Sequence, residues 1–326
     1  MARIALDAMG GDHAPKQTVL GALDAAERGV DVVLVGDQPM LESELESAGG
    51  SLPIFHAPEV IDMAEDPAAA IRAKKGASVT VASELVSSGE AVGIVSAGST
   101  GAVLAAAAFT IGRIAGVARP AIATIFPLWS PTVVLDAGAN IDVKAEDLAQ
   151  FAVMGSVVAQ VYLNIECPRV GLLNIGEEKS KGRDLEKQAF GLIEALSLDF
   201  VGNVEGRDLG TEAVDVVVTD GFTGNVLLKT AEGTARAVAR IVLEALASAE
   251  DSEIQEAAQV TLSHLLELRE KFDPEAYGGA HLVGAKGTVV VAHGSSSRVA
   301  IANALDLASE GAERDLVGRI EAGLGG

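Results

Sequence analysis

The chain has 326 residues and a formal net charge of −22, and 49 % of its residues are hydrophobic. This apolar content excludes a disordered chain, and the length allows about two domains, or one large α/β domain with an appendage. The acidic surface disfavours nucleic-acid binding, and the single cysteine, Cys167, excludes a disulfide framework and a cysteine-based zinc site.

Short β-branched runs alternate with helical stretches almost from end to end. This alternation predicts a doubly wound α/β fold with a mostly parallel sheet. The predicted strands cover residues 4–6, 32–35, 92–95, 133–135, 170–173, 214–219 and 288–292. The predicted helices cover residues 18–28, 77–87, 145–162, 184–195, 224–247 and 297–307.

The longest uncharged stretch, residues 91–112, is long enough to suggest a membrane-spanning helix. Its centre reads SAGSTG, a turn that would leave backbone groups unpaired in lipid. We therefore predict a strand, a tight loop and then a buried alanine-rich helix over residues 102–113. The N-terminus reaches a charge at Asp7 and has no signal-peptide core, so the sequence predicts a soluble cytoplasmic protein.

Two long helices follow one another without an intervening strand over residues 224–272. We predict that residues 1–326 form a single α/β domain, of one or two lobes, from which residues 224–272 project as a helical arm. Such an arm must bury its apolar stripe, so a homodimer contact is expected.

Six predicted strands end in loops that combine glycine with Ser, Thr, Asn, Asp or Lys. Ligands bind beyond the carboxyl ends of strands in open α/β sheets, and glycine loops that open onto helix N-termini bind anions. If the six loops converge, they form one polar cleft for a phosphate or phosphoryl group, with Lys179, Lys181 and Arg183 as its positive charge. The predicted substrate-binding residues are Gly10, Gly11, Ser96, Gly98, Ser99, Thr100, Gly101, Asn140, Asn174, Gly221, Thr223, Gly224, Gly294 and Ser295.

These loops match no standard nucleotide motif. A P-loop, the Gly-x-Gly-x-x-Gly fingerprint and the Gly-x-Ser-x-Gly elbow are absent from the sequence. Metal-ligand spacing is absent as well, so we predict neither a metal nor another cofactor. Cys167 precedes a strand rather than following one, and an inert thiol is favoured over a nucleophile.

Seven motifs in one order resemble the bacterial phosphate acyltransferase of phospholipid synthesis. They read DAMGGDHAP (7–15), VSAGSTGA (95–102), LDAGAN (135–140), GLLNIGEE (171–178), GNVEGRD (202–208), DGFTGN (220–225) and HGSS (293–296). The resemblance implies transfer of a long-chain fatty acyl group from acyl carrier protein to inorganic phosphate, which gives acyl phosphate for phosphatidic acid synthesis. It also implies a fold like that of isocitrate dehydrogenase and phosphotransacetylase, a homodimer, and peripheral association with the inner face of the cell membrane.

Attack of phosphate on a thioester needs no covalent enzyme intermediate, in agreement with the lack of a credible Ser or Cys nucleophile. We expect Lys179 and Lys181 to hold phosphate and to offset developing charge. Asn174, Thr223 and Asn225 are expected donors to phosphate or the oxyanion, Asp220 orients a lysine or the pantetheine arm, and His293 protonates the leaving thiolate. The predicted catalytic residues are Lys179, Lys181, Asp220, Asn225 and His293.

The carrier protein is acidic, so its docking on this chain needs a local basic surface. Arg72, Lys74 and Lys75 form the densest basic cluster outside the 179–183 loop and are the predicted docking residues. Hand-over of the product to a membrane glycerol-3-phosphate acyltransferase follows from the resemblance. The acidic start of the arm, at residues 250–256, disfavours electrostatic attraction to an anionic leaflet.

Two other functions are compatible with these residues. One is a phosphotransacetylase-type acyltransferase that uses acyl-CoA. The other is a non-catalytic scaffold that binds lipid or the acyl carrier, although the retention of Lys179 and Lys181 beside the glycine loops argues against it.

Overall fold

The computed structural model describes residues 2–126, 128–247 and 277–325. In these residues eleven strands form one sheet. The strands are β1 (Ile4–Asp7), β2 (Val32–Gly36), β3 (Ile54–His56), β4 (Gly93–Ser96), β5 (Ala121–Phe126), β6 (Thr132–Leu135), β7 (Arg169–Leu173), β8 (Asp199–Val204), β9 (Val216–Val218), β10 (Ala280–Val283) and β11 (Thr288–Val291).

Helices connect most of these strands. They are α1 (Lys16–Glu27), α2 (Gln38–Ala48), α3 (Pro67–Ala73), α4 (Ser78–Ser88), α5 (Thr100–Ala106), α6 (Ala145–Val158), α7 (Asp184–Glu194), α8 (Gly221–Ala247), α9 (Arg298–Glu313) and α10 (Leu316–Leu324). Wider π-helical turns extend α5 over Ala107–Ile111 and α6 over Ala159–Leu163, and a 3₁₀ turn spans Gly206–Asp208.

The strand order is β3-β2-β1-β4-β11-β10-β5-β6-β9-β7-β8. The first five strands run parallel to one another, and so do the last four. Between these blocks, β10 and β5 pair antiparallel with each other and with their outer neighbours. The two parallel blocks therefore run in opposite directions, and their carboxyl ends lie at opposite edges of the sheet.

Alternate residues of the strands pack against helices on opposite faces, as the period of two in a strand requires. Ile4 and Leu6 of β1 pack in the cluster that holds the apolar residues of α1 and α9, whereas Ala5 packs in the cluster of α4 and α5. In the other block, Val133 packs with α6 and α7, whereas Val134 packs with the first turns of α8. The predicted doubly wound, mostly parallel α/β fold is confirmed.

Aspartates and a serine define several helix starts. Asp37 accepts a hydrogen bond from the Met40 N–H at the start of α2, and Asp66 caps α3 before a proline at its first position. Ser297 caps α9 in the same way. Such caps satisfy backbone N–H groups that have no partner inside the helix.

The start of α8 packs against the sheet, but residues 235–242 are exposed. Val238, Ile241 and Val242 lie on this exposed part. The second helix of the predicted arm lies outside the described residues. Within the described part of the chain, no helix has both the length and the apolar character needed to cross a membrane.

Candidate active site at two edges of the sheet

Asp136 organises the loop that follows β6. Its fully buried carboxylate accepts hydrogen bonds from the backbone N–H groups of Ile122, Gly138 and Ala139 at Oδ1. Oδ2 accepts from the backbone N–H of Asn140 and from its side-chain Nδ2. These five hydrogen bonds satisfy both oxygens of a buried side chain and hold the 138–140 loop against it.

Asp220, after β9, caps the first turn of α8. It accepts from the Thr223 N–H and hydroxyl, each at 2.8 Å, and from an Arg183 nitrogen at 2.7 Å. Burial acts to raise the pKa of Asp220, but the hydrogen bonds from Thr223 and Arg183 outweigh it, so the pKa lies below the ordinary value. Asp220 is therefore an ionised side chain that holds Arg183 at this strand end.

The loops after β6 and β9 are in direct contact. The Gly221 N–H donates to the Asn140 carbonyl at 2.8 Å, and Gly138 lies beside the side chain of Asn225. The predicted residues Asn140, Asp220, Gly221, Thr223, Gly224 and Asn225 are thus brought together.

The loop after β7 brings cations to the same edge. Asn174 donates to the Lys181 carbonyl at 3.2 Å and thereby closes the loop. Arg183 binds both Glu186 and Asp220, and these partners raise its pKa. The Lys181 ammonium lies 3.9 Å from Glu178, a weak contact that leaves it available to an anion.

The Lys179 side chain is directed toward α7. Its Nζ pairs with Glu194 at 2.6 Å and lies 4.7 Å from the centre of the Phe190 ring, and both partners belong to α7. Of the two lysines predicted to hold phosphate, Lys181 is thus the better placed.

A second polar group lies at the ends of β1, β4 and β11. Ser96 donates to Asp7 Oδ2 at 2.7 Å and accepts from the Gly98 N–H at 3.1 Å. The Asp12 N–H donates to the Gly294 carbonyl, which joins the loops after β1 and β11. The predicted residues in this group are Gly10, Gly11, Ser96, Gly98, Ser99, Thr100, Gly101, His293, Gly294 and Ser295.

His293 belongs to this second group rather than to the lysine loop. Its Nδ1 contacts the Ser295 hydroxyl at 2.8 Å and accepts from the Ser295 N–H. The six loops therefore follow two strand blocks of opposite direction, because β6, β7 and β9 run against β1, β4 and β11. That all six converge on one polar cleft stays a prediction. Alternation of strands and helices in the sequence does not reveal the antiparallel pairs that reverse the direction.

The predicted carrier-docking residues lie on and just after α3. The Arg72 guanidinium lies 4.9 Å from the centre of the Phe109 ring. Lys74 pairs with Glu65 at 2.6 Å, whereas exposed Lys75 contacts the Ile71 carbonyl at 3.4 Å.

The sequence motifs do not predict three acidic residues that belong to these sites. Asp7, Asp136 and Glu186 are buried and hold, respectively, Ser96, the 138–140 loop and Arg183. Asp7 and Asp136 each stand directly at or after a strand end, and this position is the signal that could have identified them.

The chain matches known proteins over nearly its whole length. A family model described as "Fatty acid synthesis protein" matches residues 2–319. The phosphate acyltransferase of Desulforamulus reducens is 49 % identical over 329 residues, which covers 99 % of this chain and 98 % of that protein. The phosphate acyltransferase of Bacillus subtilis is 43 % identical and covers 98 % of this chain and 97 % of its own length.

Solved structures show the same fold. A phosphotransacetylase from Streptococcus pyogenes aligns with a TM-score of 0.65 at 18 % identity, covering 96 % of this chain and 94 % of that one. A branched-chain phosphotransacylase from Enterococcus faecalis aligns with a TM-score of 0.58 at 18 % identity, covering 96 % and 99 %. The full-length sequence matches show that the chain belongs to the bacterial phosphate acyltransferases, enzymes of fatty acid synthesis.

Proposed function

We propose that the protein transfers a long-chain fatty acyl group from acyl carrier protein to inorganic phosphate and releases acyl phosphate for phospholipid synthesis. The observation that supports this most directly is the cationic strand-end cluster of Lys181 and Arg183 beside Asn174, Thr223 and Asn225. A phosphate dianion needs both positive charge and hydrogen-bond donors, and this edge offers them together.

In the proposed reaction, a phosphate oxygen forms a bond to the thioester carbonyl carbon, and the carbon–sulfur bond breaks to release the carrier thiolate. Lys181 holds the phosphate and offsets charge as it moves toward the carbonyl. Asp220 keeps Arg183 in place, while the Asn225 amide and the Thr223 hydroxyl are expected to orient phosphate oxygens or the oxyanion. A thiol pKa near ~8.5 makes the thiolate a competent leaving group, so protonation by His293 would assist departure without being essential.

The two polar edges serve one reaction if the sheet twist turns them toward each other. Six steps along the strand order separate β1 from β9, and a twist of about 20–25° per step rotates β9 by roughly 120–150° relative to β1. Because β1 and β9 run in opposite senses, such a rotation brings their carboxyl ends toward one side. Ala137, next to Asp136, belongs to the same packed cluster as Ala102 and Val103 of α5, which is consistent with this arrangement.

We further propose that Lys75 and Arg72 meet the acidic carrier protein, and that the exposed apolar residues of α8 contact a second copy of the chain or a membrane surface. Val238, Ile241 and Val242 are the exposed apolar residues of α8 that support such a contact.

The test is an incubation of the purified protein with palmitoyl-acyl carrier protein in the presence and absence of phosphate. Free carrier thiol and hydroxylamine-trapped acyl phosphate are both measured. Thiol release that depends on phosphate and matches the trapped product supports the proposal. Turnover with acyl-CoA but not with the carrier would replace it with a CoA-dependent transferase, and binding without turnover of either donor would indicate a scaffold.

A further inference from the structure

Asp7 is a buried carboxyl group with one unused oxygen. Its side chain is only 2 % exposed, and within the described chain Oδ1 has no hydrogen-bond partner. Buried polar atoms are nearly always paired, so an unpaired oxygen at a strand end of an α/β enzyme indicates a partner that arrives with a ligand.

Ser96 lies between Asp7 and Gly98 and makes a hydrogen bond with each of them. The Gly98 N–H can only donate, so Ser96 Oγ accepts from it. Ser96 then uses its own proton to donate to Asp7 Oδ2. With the Ser96 proton directed at Oδ2, the proton of a neutral Asp7 carboxyl group lies on Oδ1, which has no partner within the described residues.

Burial raises the pKa of Asp7, although the nearby Ser78 and Ser96 hydroxyls and the backbone N–H groups of Met9 and Gly10 act to lower it. Among the described residues that line this pocket, none is a cation that would stabilise a carboxylate. The titratable groups on the surrounding segments include Asp12, on the loop after β1, and Glu59, whose carbonyl accepts from the Ser78 N–H. They also include Lys74, whose Nζ donates to the carbonyl of the lining residue Val60, and His293, after β11.

The pocket wall suits an uncharged chain better than phosphate. Beside Asp7 and Ser96 it contains the apolar side chains of Val60, Ile61, Val79, Ala102 and Val103. A phosphate dianion here would lie beside an acidic group with no Lys or Arg in the lining. A pantetheine arm, by contrast, combines neutral carbonyl groups with apolar segments.

We propose that Asp7 binds a carbonyl oxygen of the donor's uncharged pantetheine-thioester arm by donating the proton on Oδ1. This inference rests on the proposed function and extends it by separating the two substrates. Phosphate lies at the edge of Lys181, and the donor arm lies at the edge of Asp7.

The test compares Asp7→Asn with Asp7→Ala in the phosphate-dependent thiol-release assay. Asparagine keeps an N–H donor at this position, and alanine removes it. We expect Asp7→Ala to raise the KM for the acyl donor at least about tenfold, the effect of one lost hydrogen bond, while the KM for phosphate changes less than about twofold. Asp7→Asn should stay within about threefold of the wild type for both substrates.

Thermal unfolding of each variant separates binding from folding. If Asp7→Ala does not fold, Ser96→Ala is used instead. Ser96→Ala removes the hydroxyl that donates to Asp7 Oδ2, so the Asp7 proton is no longer confined to Oδ1. We expect a smaller but measurable rise in donor KM for Ser96→Ala. Inhibition by free pantetheine shows which carbonyl oxygen of the donor binds Asp7. If the variants are inhibited more weakly than the wild type, the oxygen belongs to a pantetheine amide. If inhibition is unchanged, it belongs to the thioester carbonyl.

An unchanged donor KM in folded Asp7→Ala, or an equal loss in Asp7→Asn and Asp7→Ala, would overturn the inference. An equal rise in the KM for phosphate would overturn it as well. Absence of phosphate-dependent turnover in the wild type is a different result, since it contradicts the proposed function itself.

Discussion

Gly224, in the first turn of α8, packs directly against the backbone carbonyl of Asp136. The contact leaves no space for a Cβ atom, so the loop after β6 and the start of α8 meet backbone to backbone. Asn225, the next residue, lies beside Gly138 because of this approach. The position of the Asn225 amide therefore depends on a glycine that itself has no functional group.

Gly224→Ala should consequently disrupt the site. The added methyl group must displace the loop held by Asp136, and we expect a loss of about 1–3 kcal/mol in the free energy of unfolding with a larger than tenfold fall in kcat/KM. Gly233→Ala on the same helix is the matched control, because nothing lies within 4 Å of its added Cβ. That control should retain activity and gain up to about 1 kcal/mol. Equal behaviour of the two variants in urea unfolding would contradict the packing argument.

Lys181 and Lys179 should differ as phosphate ligands. Among the residues that the structure describes, Lys181 has one long ionic contact, to Glu178 at 3.9 Å, whereas Lys179 is paired with Glu194 at 2.6 Å. Lys181→Ala is expected to raise the KM for phosphate at least tenfold, and Lys179→Ala less than about threefold. Initial rates over a range of phosphate concentrations measure both, and a larger effect of Lys179→Ala would assign the phosphate to the α7 side of the loop.

His281, on the central strand β10, makes the protein sensitive to acid. It stacks on Tyr162 at 4.8 Å, its Nε2 has no hydrogen-bond partner within the described residues, and burial lowers its pKa from 6.5 to about 3. Between pH 6.5 and about 3, His281 therefore binds a proton in the unfolded chain but not in the folded protein. Stability should fall as the pH decreases through this window, by up to about 1.4 kcal/mol per pH unit from this group.

The measurement is the free energy of unfolding in urea at several pH values between 7 and 4. His281→Leu should flatten the dependence in this range, since leucine has no proton to bind. The same slope in the variant and the wild type would show that other groups cause the acid sensitivity.

Carrier docking should depend on Lys75. Lys75→Glu is expected to raise the KM for acyl-carrier protein several-fold and to weaken its dependence on ionic strength. The KM for acyl-pantetheine, which lacks the protein part, should not change. Lys286→Glu introduces the same change of charge at another exposed position and serves as the control. If both variants impair the carrier reaction equally, net charge rather than a docking surface is responsible.

The sequence predicts the strands that are buried on both faces, because continuous runs such as 170–173 and 288–292 are distinctive. It does not predict β5 or β10, whose antiparallel pairing reverses the second block of the sheet. The short edge strand β3 is also missed, since its residues are partly or fully exposed. Proline at position 67 marks the start of α3, but a seven-residue helix shows little periodicity.

The candidate site, like the fold, is predicted from the sequence only in part. Strand-end motifs locate Asn174, Lys181, Asp220 and Asn225, because the residues after a buried strand must lie at a sheet edge. Which loops meet depends on strand direction, and that depends on pairings between distant parts of the chain. The strand-end motifs do not predict that Lys179 pairs with Glu194, which lies fifteen residues further along the chain.

The central claim is that phosphate itself attacks the acyl carbonyl. The direct measurement is the mass of the product formed from palmitoyl-acyl carrier protein and phosphate labelled with oxygen-18. We predict acyl phosphate that retains all of the label, including the oxygen that bridges carbon and phosphorus, and that forms more slowly when Lys181→Ala replaces the wild type at phosphate concentrations below the KM. Unlabelled free fatty acid as the first product would show that water attacks instead and would contradict the account.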